Sequence, residues 1–251
     1  MASRILARAG WRVSARSVGR YRKERALPLP TPDNDGPGRP LNPVHTRFVH
    51  HTWMMDVSQV RCFLGPDVFM AAVFDAHSRV PLMLRVFEAV PGAHQMADLL
   101  RCAARAFRAP KYLITDLGGE FTGGAFEKVV RRLGTVQRFA CADSIKATAR
   151  LERFWRTAKE TAGLRGLQLV LTAQDLERRL ELALVHYLCF RPHEGLGGAT
   201  PLEVFLGLEP AHLKAIEPPR GRPGEEKGRE PFRIAFLDGQ HQRFPVLALA
   251  A

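Results

Sequence analysis

The sequence places an aspartate where a short apolar run stops. Asp116 follows "KYLIT" (111–115) and precedes Gly118 and Gly119, which allow a sharp turn and leave room for a ligand beside the carboxylate. In open α/β sheets, functional sites lie beyond the carboxyl ends of strands because the loops converge there. An acid that only assists a turn would look the same, so Asp116 alone does not decide the function.

A second aspartate, Asp56, lies near the end of the apolar segment "TWMMDVS" (52–58). In a strand it shares one face with Thr52, Met54 and Ser58. A carboxylate in such a run is costly to bury unless it is paired, hydrogen-bonded or bound to a cation.

The third acid, Glu152, lies in the helical pattern "KATARLERFWRTAKE" (146–160). The buried stripe of this helix is predicted from the spacing i, i+3, i+4 and i+7, which gives Leu151, Phe154, Trp155 and Ala158. Glu152 lies at the edge of the stripe, with Arg156 and Lys159 further along its flank. These cations could contact a phosphate. The alternative is a surface pair between Glu152 and Arg156, worth about 0.2–0.5 kcal/mol.

Three carboxylates that meet at one place would repel one another. Two unit charges about 4 Å apart interact by roughly 4 kcal/mol at an effective dielectric constant near 20. Either one carboxylate is protonated or divalent cations neutralise the group, and oxygen ligation favours Mg²⁺ or Mn²⁺. Two such ions activate a water or a 3′-hydroxyl and stabilise the leaving oxygen of a phosphodiester. The acids therefore point to phosphoryl transfer.

The composition agrees with a polyanionic partner. The 251 residues include 37 Lys and Arg against 25 Asp and Glu, a net charge of +12. This excess favours nucleic acid first and a membrane surface second, and an ordinary basic surface kept charged for solubility is the alternative. No apolar stretch approaches the roughly 20 residues that cross a bilayer, so we expect no membrane partner. The four cysteines contain no C-x-x-C pair, which argues against a zinc site and fits a reducing, cytoplasmic environment.

The periodicity of the chain predicts the order of its elements. We expect strands over 48–57, 67–76, 79–88, 111–115 and 136–140 and helices over 94–107, 124–134, 148–162 and 173–190. Three strands in a row followed by strand–helix alternation predict an α/β fold with a mixed sheet flanked by helices. A hairpin is expected over 231–249, with Asp238-Gly239 as its turn.

Taken in order, these residues resemble the retroviral-integrase-like transposase core with its D,D-35-E pattern. Asp116 and Glu152 are separated by 35 residues. The matching segments are "TWMMDVS", "VFDAHSRV" (73–80), "TDLGGEF" (115–121), "LERFWRTAKE" (151–160) and "HYLCFRPHEGLGGATPLEVF" (186–205). The resemblance spans roughly 45–207. It implies a ribonuclease-H-like, mixed five-stranded sheet.

The composition of the chain, together with the span of the resemblance, predicts how the chain is divided. The predicted parts are a basic helical arm (1–25), a Pro-rich linker (26–46), a catalytic core (47–208), a second linker (209–230) and a small β-hairpin appendage (231–251).

The resemblance assigns roles to particular residues. Asp56, Asp116 and Glu152 become the catalytic and metal-binding triad for two Mg²⁺ or Mn²⁺ ions. The implied activity is cleavage of element ends and joining of the 3′-hydroxyl to target DNA by a homo-oligomer. The residues expected to contact DNA are Lys159, Arg156, Arg153, Arg16 and Arg20. Asp75 is interpreted as structural, and the loop Arg191-Pro192-His193 as supporting the core or contacting DNA.

The basic arm allows three interpretations. On one helix, its arginines would form a drifting stripe made by Arg4, Arg8, Arg12, Arg16 and Arg20. The arm could be a mitochondrial presequence, a solvated basic arm, or a recognition helix over 13–24 capped by Ser14. This last segment resembles the final helix of the helix-turn-helix that precedes many transposase cores. Its partner helices are missing from the sequence pattern.

Three positions depart from the family pattern. Leu117 stands where the family has Asn, Thr148-Ala149 where it has Asn-Gly, and Leu188 where it has the Asn of "YN". Lost polar groups around ligands can loosen them and lower activity. The alternatives are therefore a decayed or truncated remnant that only binds DNA, and a plain nuclease of the same fold.

Overall fold

The structure is a computed structural model that describes residues 1–25, 46–140, 145–164, 166–215, 232–238 and 243–249. The chain divides into two compact units, one made by Gly38–Leu184 and the other by Met1–Pro37 with Val185–Ala251. The domain limits expected from the sequence stay predictions. Among the described helices, none combines the length and apolar character needed to cross a membrane.

The elements are numbered in chain order over the described residues. The strands are β1 (Thr52–Val60), β2 (Val68–Asp75), β3 (Pro81–Phe87), β4 (Tyr112–Thr115), β5 (Val136–Phe139), β6 (Phe232–Asp238) and β7 (Arg243–Leu249). The helices are α1 (Ala2–Arg8), α2 (Ala15–Glu24), α3 (Ala93–Ala106), α4 (Gly119–Thr122), α5 (Gly124–Arg132), α6 (Ile145–Thr161), α7 (Ala173–Val185) and α8 (Pro201–Leu206).

The larger unit contains the predicted mixed sheet. Its five strands lie in the order β3-β2-β1-β4-β5. β1 pairs antiparallel with β2 and parallel with β4, while β2–β3 is antiparallel and β4–β5 is parallel. The α/β class and the five-stranded sheet flanked by helices are therefore confirmed.

The core of this unit lies around β2 and α6. Met70–Phe74 of β2 is fully buried, as a strand covered on both faces must be. The ring of Phe154 on α6 lies 5.3 Å from that of Phe74 and 5.0 Å from that of Trp155. Helix α6 thus packs its aromatic side chains onto the sheet, and this contact fixes the position of everything else that α6 carries.

The first strand differs from its predicted limits. It begins at Thr52 rather than residue 48, because residues 48–51 form a turn closed by a hydrogen bond from His51 N–H to the Phe48 carbonyl. It continues to Val60, which pairs with Val68 of β2. Asp56 therefore lies in the middle of β1 and not near its end.

Asp75 at the end of β2 is structural, as its interpretation required. Its carboxylate is fully buried and accepts hydrogen bonds from the backbone N–H of His50 at 2.8 Å and from the N–H and Oγ of Ser78 at 2.7 and 2.6 Å. These bonds satisfy the charge and close the turn from β2 toward β3.

The smaller unit corrects two expectations about the basic arm. The arm forms two helices, α1 and α2, so Arg4 and Arg8 do not continue the stripe of Arg16 and Arg20 on one helix. A helix also precedes α2, although the sequence pattern had suggested none. The predicted cap is confirmed, since the side chain of Ser14 accepts a hydrogen bond from the N–H of Ser17.

Arg8 forms an ion pair with Glu203 inside the same unit. Its Nη1 lies 2.9 and 2.7 Å from the two carboxylate oxygens of Glu203, and Nη2 donates to the Cys189 carbonyl at 3.4 Å. Helix α1 is thereby fastened to the segment around α8. In the same unit, β6 and β7 pair antiparallel as the predicted hairpin, and the Gly239 of its expected turn lies outside the described residues.

Candidate active site

The register between β1 and β4 brings the two aspartates to the same level. Each β1 residue that pairs with β4 lies beside the residue 60 positions later in the sequence. The pairs are Thr52 with Tyr112, Trp53 with Leu113, and Met54 with Ile114. Asp56 and Asp116 have the same offset, two positions beyond the last pair. Neighbouring strands of a sheet lie about 4.8 Å apart, so the chain reaches Asp56 and Asp116 from adjacent positions in the sheet.

Asp56 is half-buried beside α6. Its Oδ2 accepts a hydrogen bond from the indole Nε1–H of Trp155 at 3.0 Å. The pKa of Asp56 is raised from an ordinary 3.8 to about 6. Burial is the largest cause, the charges of Asp116 and Glu152 act in the same direction, and the hydrogen bonds from Val57 and Trp155 oppose them. The pKa of Asp56 therefore depends on the charges of both other acids.

Asp116 is exposed immediately after β4. Its Oδ1 accepts the backbone N–H of Gly118 at 2.9 Å, which turns the chain into α4. Gly118 has φ −58 and ψ 150, so this turn does not depend on the left-handed conformations that favour glycine. The space beside Gly119 is open, because a Cβ built there meets nothing within 4 Å.

Glu152 is carried by α6, whose buried stripe is confirmed. The four stripe residues are at most 4% exposed: Leu151, Phe154, Trp155 and Ala158. Glu152 itself is exposed at the edge of that stripe. Its charge reaches Asp56, since it is one of the causes that raise the pKa of that carboxyl.

The donor chemistry of the three acids fits a divalent cation. The described residues contain no group of three or more His, Cys, Asp or Glu side chains placed to hold one ion together. The acids interact through their charges without forming a closed ligand cage. Carboxylate oxygens are the ligands that Mg²⁺ and Mn²⁺ prefer. A cation would offset both the burial of the Asp56 charge, which is the main cause of its raised pKa, and the smaller repulsion from Asp116 and Glu152.

Lys159 lies on α6 beyond the acids. Its half-buried ammonium donates to the Gln59 carbonyl of β1 at 2.6 Å. Burial lowers the pKa of Lys159, and the negative charge of Asp56 acts in the opposite direction. Arg153 and Arg156 are exposed on the same helix. These three cations of α6 therefore lie in the unit that holds the three acids.

The remaining predicted DNA contacts belong to the smaller unit. Arg16 and Arg20 are exposed on α2, and Arg20 approaches Glu24 at 4.0 Å. The loop at Arg191–His193 folds back on its own unit, where the His193 ring lies 4.7 Å from that of Tyr187 in an edge arrangement. Its role in supporting a core or contacting DNA stays a prediction.

Sequence reasoning missed the second function of Trp155. It was assigned only to the buried stripe, yet its N–H holds the carboxylate of Asp56. A buried indole requires a hydrogen-bond partner, and Trp155 follows Glu152 by three residues, so it lies one turn along the same helix. That combination was the available signal.

Comparison with solved structures identifies the fold. The catalytic core of BIV integrase matches at a TM-score of 0.46 and 21% identity over 63% of this chain and 95% of that chain. The HTLV-2 integrase catalytic core in complex with magnesium matches at 0.48 and 14% identity over 64% and 99% of the two chains. A chain of the simian T-cell lymphotropic virus intasome in complex with PP2A regulatory subunit B56 gamma reaches 0.52 at 14% identity, covering 86% of this chain and 76% of that chain.

The chain has the ribonuclease-H-like fold of a retroviral integrase core. No protein-family model and no curated protein sequence matches it, so this likeness rests on structure alone. In the integrase-like core, the acids come from three elements of one unit: the central strand β1, the end of β4, and helix α6. The fold predicted from the sequence resemblance is thus confirmed.

Proposed function

We propose that this integrase-like chain is a metal-dependent polynucleotidyl transferase. Its activity is to cleave the ends of a DNA element and to join the freed 3′-hydroxyl to target DNA. The observation that carries the proposal is that β1, the end of β4 and α6 place three acids in one unit, where the charges of Asp116 and Glu152 act on the buried carboxyl of Asp56. Three carboxylates whose negative charges repel one another are suited to bind cations.

Asp56, Asp116 and Glu152 would hold two Mg²⁺ or Mn²⁺ ions. Bound there, the ions supply charge stabilisation and an activated oxygen nucleophile. Trp155 orients the Asp56 carboxylate from α6 through the hydrogen bond of its indole N–H. Asp116 remains exposed and accessible from solvent beside the open space at Gly119.

The cations of the chain would bind the phosphates of DNA. Lys159, Arg156 and Arg153 lie on the helix that carries Glu152, so phosphates bound there pass close to the acids. Arg16 and Arg20 on α2 would add contacts from the smaller unit. The net charge of +12 favours such a partner at physiological salt. We propose a homo-oligomer on DNA, acting in the cytoplasm.

The test combines a duplex copy of the DNA that flanks the gene with a supercoiled plasmid and Mn²⁺. We expect nicked and joined products from the natural protein and a loss of at least about a hundredfold in Asp116→Asn. Asp98→Asn is the matched control, because Asp98 is an exposed aspartate on α3 paired with Arg101. Cleavage without any joined product would instead indicate a plain nuclease.

A catalytically decayed, DNA-binding remnant is the second candidate. One observation favours it: the described residues include no preformed cluster of three metal ligands. Leu117, which replaces the family's Asn, is 66% exposed beside Asp116 and offers no polar group there. Salt-sensitive DNA binding together with a melting temperature unchanged by Mn²⁺ would favour this candidate.

A further inference from the structure

A cavity of about 550 Å³ lies in the larger unit beside the predicted DNA contacts. It is bounded by the end of β1, by α6, and by the segment that follows α6. Its lining includes Gln59, Arg61, Arg156, Lys159, Leu164 and Leu167. The volume is within the range of about 300–1,000 Å³ that is typical of small-molecule sites.

The walls of this cavity differ in chemistry. Arg61, Arg156 and Lys159 provide three positive charges, and none of the lining side chains is acidic. Leu164 and Leu167 provide an apolar wall on the opposite chain segment, with Leu164 buried and Leu167 58% exposed. Cations beside an apolar wall suit a ligand that is anionic at one end and flat and apolar at the other.

An exposed apolar ridge continues from the cavity. Backbone hydrogen bonds join the two segments that form it, from Phe63 N–H to the Gln168 carbonyl at 2.7 Å and from Leu64 N–H to the Leu169 carbonyl at 2.8 Å. The side chains that make up the ridge are each more than half exposed: Phe63, Leu64, Leu167, Leu169 and Val170. Five large, exposed apolar side chains thus lie on two segments that are hydrogen-bonded to each other, and such a concentration of exposed apolar surface indicates a binding surface.

We propose that the cavity and the apolar ridge bind an unpaired nucleotide. The phosphate lies on Arg61, Arg156 and Lys159, and the base lies against Leu167 and stacks on Phe63. The source is an unpaired end of the DNA that the proposed function requires, so this inference rests on that function. It adds a substrate preference: ends with unpaired bases bind better than fully paired ends.

The positive charge of the cavity favours a nucleic acid strand over a second copy of the chain as the occupant. A dimer through the ridge would bring two sets of Arg61, Arg156 and Lys159 together in a protein of net charge +12, and the repulsion would oppose it. A nucleic acid strand meets both features at once. Its backbone neutralises the cations, and its bases stack on an aromatic ring regardless of sequence.

The test measures binding by fluorescence anisotropy in EDTA, where no metal-dependent chemistry occurs. Three labelled probes are compared: a blunt duplex, the same duplex with three unpaired nucleotides at one end, and that probe with abasic unpaired positions. We expect the unpaired end to bind about tenfold more tightly than the blunt end, and the abasic probe to lose this gain. Free dAMP is titrated as a competitor.

Two variants locate the effect. Phe63→Ala and Leu167→Ser should each remove most of the preference for the unpaired end, and Phe63→Tyr should restore it, because the ring is what stacks. Leu213→Ser is the matched control, since Leu213 is 57% exposed in the other unit and Leu167 is 58% exposed. Circular dichroism of each variant separates lost binding from lost folding. If Phe63→Ala unfolds, Leu167→Ser decides.

Equal affinity for blunt and unpaired ends would overturn the proposal. The proposal would also fail if dAMP competed with the same affinity as the DNA end, because the cavity would then be a mononucleotide site. It would fail too if Phe63→Ala halved the mass of the protein in solution without changing DNA binding, because the ridge would then be a dimer contact. Asp116→Asn should keep the preference. A protein that prefers unpaired ends but yields no cleavage in Mn²⁺ would refute the proposed function and leave the cavity proposal standing.

Discussion

The indole nitrogen of Trp155 lies 3.0 Å from Oδ2 of Asp56, and this hydrogen bond joins two residues that are 99 positions apart in the sequence. It connects the helix that carries Glu152 to the strand that carries the first acid. Because Trp155 is 4% exposed, its rotation is restricted by the surrounding core. The geometry between Asp56 and Glu152 therefore depends on a residue that is itself part of the hydrophobic core.

Replacing Trp155 by Phe should weaken metal binding. The change keeps an aromatic ring but removes the donor, so the Asp56 carboxylate loses one of the groups that orient it. We expect the affinity for Mn²⁺, measured by calorimetry, to fall about tenfold.

Phe154→Leu provides the comparison for that variant. It perturbs the same buried stripe, with Phe154 1% exposed, and touches no hydrogen bond to Asp56. It should lower the melting temperature while leaving the affinity for Mn²⁺ within about twofold. Equal losses of Mn²⁺ affinity in both variants would mean that Trp155 acts only through packing.

Replacing Asp56 by Asn should stabilise the protein at neutral pH without divalent metal. The folded pKa of Asp56 is raised from 3.8 to about 6, so the protonated form is favoured on folding, and stability is lost as pH rises through that interval. The full penalty at pH 8 is roughly 3 kcal/mol. The neutral amide of the Asp56→Asn variant carries no charge and avoids this penalty.

Urea unfolding at two pH values measures this effect. We expect the variant to gain up to roughly 3 kcal/mol at pH 8 and about one third of that at pH 4.5, where the native carboxyl is largely protonated in the folded state. Asp98→Asn, at a half-exposed pair, should change stability by less than about 0.5 kcal/mol. A gain that is independent of pH would contradict the pKa assigned to Asp56.

Glu203 should stabilise the smaller unit through its charge. Burial opposes the charged form, but hydrogen bonds from Arg8, Thr200 and Ala211 outweigh it and lower the pKa of Glu203 from 4.5 to about 2. This stability is present above pH 4.5 and is lost as pH falls toward 2. Its upper limit is roughly 3 kcal/mol.

Hydrogen exchange at pH 7 tests the ion pair. Glu203→Gln should speed exchange of amides in α1 and α8, because it removes the charge that holds Arg8. Glu209→Gln is the control, since Glu209 pairs with Lys214 at 3.4 Å with both side chains more than 60% exposed. Identical exchange in the two variants would show that the Arg8–Glu203 pair adds no more than a surface pair does.

The salt dependence of DNA affinity should distinguish the arginines of the arm that contact DNA from Arg8, which does not. Arg16→Ala and Arg20→Ala should each reduce the slope of log K against log salt for duplex DNA by about 0.9. Arg8→Ala should leave the slope unchanged, because Arg8 is bound to Glu203. Arg85→Ala, an exposed arginine of β3, is the control. A lower slope in Arg8→Ala would mean that the ion pair opens on DNA.

The order of elements and the element that carries each acid could be predicted because both follow from hydrophobic periodicity. The alternation of apolar residues places Asp116 at the end of β4, and parallel pairing with β1 brings it level with Asp56. The stripe on α6 fixes Glu152 at its edge for the same reason. Local pattern was sufficient here, since each step depends on neighbouring residues.

The structure differs from the sequence prediction in one local turn and in two contacts between distant residues. The first strand begins later than the sequence predicts because Phe48 and His51, which extend the strand pattern in the sequence, belong to a turn with their ring centroids 5.1 Å apart. The contact between Trp155 and Asp56 spans 99 positions and the contact between Arg8 and Glu203 spans 195. Hydrophobic periodicity carries no information about such polar partners.

Mn²⁺ binding tests the central claim most directly, because it asks whether three distant acids act on the same ions. Calorimetry or electron paramagnetic resonance on the natural protein should detect bound Mn²⁺. Asp56→Asn, Asp116→Asn and Glu152→Gln should each weaken binding at least about tenfold, with Asp98→Asn unchanged. Binding that survives intact in Asp116→Asn or Glu152→Gln would contradict the account, since the acids would then not share a site.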